Sequence, residues 1–553
     1  MKPEETTYET KRIDHLGIVA GVCKRIGLIE AIDETLPNPR GEKRVVSCGE
    51  AVQAMVLNAL GLTGRALYLM PEYMENKPVD LLIREGLEAS DFNDDTLGRA
   101  LDEIQQAGVT EMFATIAGDA VKEYGIETEY VHLDSSTVSV TGQYDSEYAI
   151  GMTKTYETME IKRGYSKDHR PDLKQVVVNL ITSQASALPL WLEVLDGNSN
   201  DTKTFQETVS AYCDQLCDDE KQPYFIMDRA GYSAGNVNAW EGIEWVAAVP
   251  ITNNIAKEIL KAVKTEDMVA REDGYRTCSF GTWYGDVKQR WVLVYSDNGA
   301  QREQKSFMKR VEREQKEIEK QWRKLCKQRF ECKADAQTAC QQFVQTLSWW
   351  EVKETDIIPI QAHKKRGRPA KNAVPQTIGW QITGQIVRTQ KKIDDHIQWV
   401  GRFIIATNIL DEETLSDESV LASYKEQSSS VERGFRFLKD PMFFADSLFL
   451  KSPVRIMSMV MIMGVALLIY SLAERELRLA LREQDETIPH QTGRPTQNVT
   501  MRRVAQIFEG VDLLIIRRGV TIISRQITNL TPLRLKILRL FHPSIQNCYL
   551  LNF

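Results

Sequence analysis

The sequence is poor in the residues that staple small folds or hold soft metals. Nine cysteines are scattered through 553 residues, no Cys-x-x-Cys pair occurs, and Cys213 and Cys217 are the nearest two. A disulfide framework is therefore not expected, and a reducing cytoplasm fits better. The seven histidines show no zinc spacing with those cysteines, and Cys326, Cys332 and Cys340 read as packing or solvent thiols. Bulk positive charge is missing too. The formal net charge is −8, which argues against coating nucleic acid through overall charge but leaves room for a local basic site. The start, MKPEETTYETKRID, lacks the apolar run of a signal peptide. Long uncharged runs are rare: Ile456 to Leu472 is 17 residues without a charge, the lower limit for crossing a bilayer. Its four methionines, two serines and glycine, and its continuation into AERELRLALRE, favour a buried core helix over a membrane span.

What is present is globular. Apolar residues make up 42%, charged residues 26% and aromatics 8%, ordinary values for packed domains. At about 100–200 residues per domain there is room for three or four. The charge is uneven. Residues 1–130 hold 13 Lys/Arg against 24 Asp/Glu, and the remainder is net basic. After Thr500 come Arg502, Arg503, Arg517, Arg518, Arg525, Arg534, Lys536 and Arg539 against only Glu509 and Asp512. Such asymmetry permits polyanion binding by the later regions.

Apolar spacing makes residues 1–125 helical throughout. At Glu129 the pattern changes to β-branched alternation in EYVHLDSSTVSVTG, followed by strands at 173–182 and 188–196. A helix at 202–216, the strand YFIMD (224–228) and another at 243–250 complete an α/β region. The pattern is then interrupted. Short strands such as RWVLVYS (290–296) precede one long charged helix from Gln301 to about Phe343, where Val311, Ile318, Leu325 and Cys332 recur every seven. A basic stretch, HKKRGRPAKN, follows Trp349 and Trp350, and strands resume at WQITGQIVR and IQWVGRFIIATN. From Glu412 the chain reads as helical, with a short strand pair around 513–523.

Three acids stand out by position. Asp134 lies inside the apolar strand HLDSST, and Asp228 closes YFIMD before the loop RAGYS. Acids at strand ends of an open α/β sheet face the usual ligand crevice. Each has a plainer reading: Asp228 capping a helix near Ser233, Asp134 bonding nearby hydroxyls. Glu432 lies in SYKEQSSSVERGFRFLKDP, with Glu432, Arg436 and Lys439 on one helical stripe and Val431, Phe435 and Leu438 on the adjacent apolar one. The plainer reading here is a capping box formed by Ser429 and Glu432. Glu426 is the rival third acid. On a continuous helix six residues turn by about 600°, about 120° short of two turns, so the two glutamates would not share a site.

Taken in order, these acids and their surroundings resemble the DDE transposases of bacterial insertion sequences. The nearest likeness is the insertion-sequence-4 superfamily and its insertion-sequence-1634-like branch. That superfamily's signature places tyrosine, arginine, glutamate and lysine in a fixed order, and Tyr424, Glu432 and Lys439 match it. GYSKDHRPDLKQ (164–175) resembles a family element between the first two acids. Gln427 stands where the signature has arginine, and four residues rather than three separate it from Glu432. Asp134 and Asp228 are 94 residues apart, and Glu432 follows at about twice that distance. A compact sheet needs no connection of that length, and relatives carry an insertion there.

The resemblance implies an α/β fold: an RNase H-like catalytic core, a mixed sheet with flanking helices, interrupted by an α+β insertion. Helical N-terminal and C-terminal regions complete it. The expected boundaries are 1–125 for a DNA-binding region, 126–264 and 396–476 for the core, 265–395 for the insertion, and 477–553 for a basic tail. It implies that Asp134, Asp228 and Glu432 are the catalytic residues and hold two Mg²⁺ ions, or Mn²⁺, for cleavage at transposon ends and joining to target DNA. Tyr424 and Lys439 inherit DNA contacts by position, and Arg436 joins them on its stripe. Lys365, Arg366, Arg368 and Lys371 form a stretch like an AT-hook, whose Arg-Gly-Arg core suits a narrow minor groove; the plainer reading is a solvated linker. Expected partners are double-stranded DNA and a second copy on DNA, with no membrane, in a bacterial cytoplasm at the nucleoid. The altered spacing before Glu432 keeps two alternatives open: a non-catalytic DNA-binding derivative, or a metal-dependent nuclease.

Overall fold

A computed structural model describes residues 6–36, 44–62, 66–140, 159–184, 186–217, 222–363, 374–427, 430–440 and 452–551. The chain divides into two compact units. One comprises Met1–Ala248, Gly281–Arg290 and Ala406–Phe553; the other comprises Val249–Phe280 and Trp291–Ile405.

The first unit is built on a mixed sheet. After strand β1 (Thr6–Arg12) and a run of helices, the β-branched stretch beyond Glu129 forms β2 (Tyr130–Val140). Then come β3 (Lys174–Ser183), β4 (Pro189–Leu195), β5 (Tyr224–Met227) and β6 (Trp245–Ala248). Their order across the sheet is β4-β3-β2-β5-β6. β2, β3 and β4 are antiparallel neighbours, whereas β5 runs parallel to both β2 and β6. The short antiparallel links need only turns. The parallel pair needs a crossover, and the helix Asp201–Leu216 supplies it. β5 and β6 are almost entirely apolar because both faces are covered.

The uncharged run lies within one 31-residue helix, Pro453–Glu483. Its length and composition would suit a bilayer, yet its most apolar 18-residue window is 89% buried inside the protein. It packs on the helices Leu16–Arg25, Cys48–Leu60, Asp94–Ala107 and Val109–Tyr124, on β4, and on Val431–Leu438. An all-round apolar helix requires such enclosure. Cys48–Leu60 is itself buried along all 13 residues and starts at a capping box between Ser47 and Glu50. On the central helix Glu474 is 2% exposed. It is paired with Arg433, with Arg478 at 2.5 Å, and with the Met501 N–H at 3.1 Å.

The beginning of the chain departs from the helical expectation. Residues Thr6–Arg12 form a strand whose partner is Asp512–Arg518, which in turn pairs with Thr521–Thr528. The pairing explains the charge asymmetry in part. Arg517 meets Glu9 at 3.6 Å, Arg525 meets Asp80 at 2.6 Å, and Arg12 meets Asp512 at 3.9 Å. Arg517 and Arg525 of the tail are thus matched by acids of the N-terminal region, while Arg12 and Asp512 pair in the opposite sense.

In the second unit the single long helix is two. Asp297–Lys327 ends at Gln328, and Lys333–Gln345 begins after Cys332, whose Sγ accepts from the Asp335 N–H at 3.3 Å. The break arises because Phe330 leaves the helix to exchange backbone hydrogen bonds with Trp380, at 2.9 and 2.8 Å. Phe307, Val311, Ile318 and Trp322 form the buried seam, while Cys332 is exposed. Residues Trp350–Ala362, not anticipated as a strand, pair with Gln376–Arg388 in a hairpin of two 13-residue strands. The basic stretch with Lys365, Arg366, Arg368 and Lys371 lies outside the described residues.

Replacing Glu474 by leucine should strand two arginines at a buried position. Breaking such a pair costs about 3 kcal/mol, to be read by chemical denaturation of the full chain. A loss below about 1 kcal/mol would mean that Arg433 and Arg478 are satisfied by water instead.

Candidate functional site

Strand register places the two aspartates. β2 and β5 run in parallel with His132 beside Ile226 and Leu133 beside Met227. One further step sets Asp134 beside Asp228, where β5 ends. Paired residues in a sheet point to one face, so both carboxylates rise from the side that carries His132. That histidine is fully buried, and burial pushes its pKa down to about 4, so it is neutral near pH 7. Asp228 does not follow its plainer reading. Asp134 Oδ1 accepts from the Ser135 N–H at 2.7 Å, and Asp228 Oδ1 accepts from the Ala230 N–H at 2.7 Å. The helix after Asp228 is capped by Ser233.

Glu432 sits at the start of the helix Val431–Leu438 and is exposed. Val431, Phe435 and Leu438 are buried, as is Phe437. Ser429, a member of the capping-box reading, lies outside the described residues; Ser430 is the cap residue and makes no side-chain cap bond. Its hydroxyl instead meets Thr182 Oγ1 at 2.6 Å and donates to the Ser183 carbonyl at 3.0 Å. Thr182 pairs with His132 and Leu180 with Asp134, so this helix lies over the face that carries the aspartates. Gly434 makes the approach possible, because a Cβ there would stand 2.8 Å from Leu180 Cδ2. Arg433, on the other flank, is held by the buried Glu474.

The preceding helix, Asp417–Glu426, is separate, so Glu426 and Glu432 do not share a continuous helix. The chain turns at Gln427, and Ser430, at φ −97° and ψ −93°, is not helical. Glu426 is exposed at the end of its helix. Tyr424 is half-buried, and its environment ties the site together. Burial raises its pKa, the Arg229 guanidinium opposes that, and Asp228 and Glu432 add to it. Arg229, Asp228 and Glu432 therefore each lie within electrostatic reach of Tyr424.

The element at 164–175 closes one side. Gly164 and Gly197 allow two backbones to meet: a Cβ on Gly164 would stand 2.2 Å from the Gly197 carbonyl oxygen. Gln175, buried, donates to that carbonyl at 2.8 Å and to the Tyr165 carbonyl at 3.1 Å. The loop so pinned carries Lys167, whose Nζ donates to Ser135 O and Oγ at 2.6 Å each and lies 3.9 Å from Asp134 Oδ1. Its neighbour Asp168 accepts from Lys439 Nζ at 2.8 Å. Reasoning from the sequence quoted this element but gave Lys167 and Asp168 no role. Their only signal was membership of the motif, since no spacing rule links a loop lysine to a strand 30 residues earlier.

Among the described residues no three His, Cys, Asp or Glu side chains stand close enough together to hold an ion. The chemistry of the donor set still fits a hard divalent cation. Asp134, Asp228 and Glu432 offer oxygen alone, which suits Mg²⁺ or Mn²⁺ better than zinc. Arg436 is exposed and Lys439 part-buried on the same short helix. In the N-terminal region some of the cations are held in ion pairs: Arg25 pairs with Glu123 at 2.9 Å and Glu476 at 3.1 Å, and Arg44 pairs with Glu103. Lys24 is exposed, and Lys43 lies outside the described residues.

Comparison with known proteins adds a family. A family model described as a transposase DDE domain matches residues 128–470, and a domain of unknown function (DUF4277) matches residues 8–118. No curated protein matches. A solved structure described as a cryo-EM structure of the piggyBac transposase synaptic complex with hairpin DNA is similar at 8% identity and a TM-score of 0.34. The likeness covers 91% of this chain and 82% of that one.

Gly434→Ala tests the packing of the Glu432 helix. Helix propensity alone would stabilise the alanine variant by about 1 kcal/mol. Overpacking against Leu180 should reverse the sign and cost about 1–3 kcal/mol. Gly235→Ala, where an added Cβ meets nothing within 4 Å, is the control and should not destabilise. Thermal unfolding of the two variants side by side gives the answer.

Proposed function

The chain belongs to the transposase DDE domain family, and from that premise we propose that Asp134, Asp228 and Glu432 are its three catalytic carboxylates. It is a DDE-type transposase, an enzyme of DNA cleavage and strand transfer. The observation that carries the assignment is the common face. The β2–β5 register sets two aspartates side by side, and the Glu432 helix lies over that face through Ser430 and Gly434. The strand order β4-β3-β2-β5-β6, three antiparallel strands and then two parallel ones, supports an RNase H-like core. The matches of Tyr424, Glu432, Lys439 and residues 164–175 support placement in the insertion-sequence-4 superfamily, and with it a bacterial cytoplasmic setting at the nucleoid.

Divalent cations bound by these carboxylates, two Mg²⁺ or Mn²⁺, would supply the charge that favours the attacking oxygen and the leaving oxygen of a phosphodiester. The protein's part is position. Asp134 and Asp228 are fixed by backbone N–H groups, and Glu432 by a helix whose apolar side is buried. Tyr424, Arg436 and Lys439 border the same face and are suited to DNA phosphates. In cleavage, water attacks phosphorus and the bond to the 3′ oxygen breaks, leaving a 3′-OH. In transfer that hydroxyl attacks a target phosphodiester, one bond forming as another breaks. Two ends must meet, so a dimer on DNA is the working assembly. The region matched at 8–118 is assigned to recognition of the ends, and Lys365, Arg366, Arg368 and Lys371 to sequence-tolerant binding of A·T-rich duplex.

Nicking of a supercoiled plasmid bearing the element's ends, with Mg²⁺, tests the triad. Asp134→Asn, Asp228→Asn and Glu432→Gln should each lower cleavage by about a thousandfold or more while retaining DNA binding. Glu426→Gln should stay within about threefold of the parent. Full activity of any of the three amides would sink the assignment; inactivity of the parent chain on nicking and on pre-cut ends would make it a non-catalytic derivative.

The double variant Arg366→Ala, Arg368→Ala should weaken duplex binding and reduce the slope of log affinity against log salt by about 2. An unchanged slope would return the stretch to a linker.

A further inference from the structure

Carboxylates gathered on one face repel each other unless positive charge stands among them. Near Asp134 the structure shows that charge. Lys167 Nζ lies 3.9 Å from Asp134 Oδ1 and is held there by two 2.6 Å hydrogen bonds to Ser135, the next residue of the same strand. The placement is built rather than incidental. The Lys167 N–H donates to Thr137 Oγ1 at 3.2 Å, and the loop is closed by the Gly164–Gly197 approach and by Gln175. Lys167 is bonded at both ends to β2, the strand that carries the first acid. The adjoining residue, Asp168, reaches the opposite border of the site and takes Lys439, at the end of the Glu432 helix. One dipeptide thus joins the elements that bear Asp134 and Glu432.

We propose that Lys167 is a further positioning residue of the cleavage centre, its ammonium standing beside Asp134 as the counter-charge that a divalent cation displaces. The proposal rests on the reading of Asp134 as a metal-holding carboxylate. A lysine suits the task because its charge is compact and its stem flexible, so the ammonium can withdraw without moving the loop backbone. An arginine would keep the charge but bind in a planar fork. The ammonium holds the Asp134 region in order while the site is empty of cation, and it opposes cation entry by like-charge repulsion.

The two effects predict opposite signs, which separates this role from a merely structural one. Mn²⁺ binding to the full chain without DNA, measured by calorimetry or by the resonance of free Mn²⁺, is the readout. Lys167→Met should bind Mn²⁺ about tenfold more tightly than the parent, because the competing charge is gone. Lys167→Gln keeps a donor for Ser135 and should tighten binding likewise. Lys167→Arg should stay near the parent value, and Asp134→Asn should bind poorly. Cleavage at saturating Mn²⁺ should fall in Lys167→Met and be restored in large part in Lys167→Arg. Unchanged or weaker Mn²⁺ binding in both Lys167→Met and Lys167→Gln, with Asp134→Asn deficient, would overturn the proposal and leave Lys167 as a tether. Parent-like Mn²⁺ binding by Asp134→Asn would instead overturn the reading of Asp134 on which it rests.

Discussion

A single apolar helix governs the first unit. Pro453–Glu483 has no polar face over its first half, so water is excluded only if other elements surround it. Four N-terminal helices, the edge strand β4 and the Glu432 helix do so. Two parts of the chain that the sequence separates by more than 300 residues are thereby forced onto one core. Asp102 reaches Arg455 at 2.8 Å, and the Leu101 carbonyl accepts from Ser458 Oγ at 2.7 Å. The N-terminal helices and the Glu432 helix each place part of their apolar side against the central helix.

The same helix sets the chemistry indirectly. Glu474 is buried on it and takes Arg433, the residue after Glu432. On a helix, adjacent residues point about 100° apart, so holding Arg433 inward on one flank presents Glu432 on another. Leu467, also of the central helix, lies 3.4 Å from where a Cβ of Gly434 would be. Glu432 is therefore oriented by packing behind it, while its own side chain stays exposed. From the opposite border Asp168 holds Lys439. Carboxylates on one face repel each other; beside Asp134 the Lys167 ammonium, 3.9 Å away, opposes that repulsion.

Charge asymmetry, which the sequence offered as a sign of polyanion binding, has a second use. Acids of the N-terminal region and bases of the tail meet through β1 and the terminal hairpin. Opposite ends of the chain are thus matched before any ligand arrives. The cations left for DNA are those without such a match, a smaller set than composition implied, and net charge alone does not identify them.

Much of this was legible in the residues. Alternation marked β2, β3 and β4, apolar runs marked β5 and β6, and the uncharged run marked the buried helix, because local period reports which faces meet the core. The three acids stood out as carboxylates at strand ends or beside an apolar helical stripe. What the sequence did not contain was partnership. The strand at Thr6–Arg12 is polar and pairs with residues some 500 positions later, so its own pattern gave no sign. The break at Gln328–Cys332 depends on Trp380, and the fate of Ser430 on Thr182. Local propensity favoured one long helix, and a distant hydrogen-bonded pair overruled it. By itself the sequence pointed to the family, the core strands, the buried helix and the candidate acids. Only the tertiary structure decided that Asp134 stands beside Asp228, that the helix bearing Glu432 packs over the face of β2 and β3, and that Lys167 faces Asp134, because register and packing are set by contacts that no local pattern encodes.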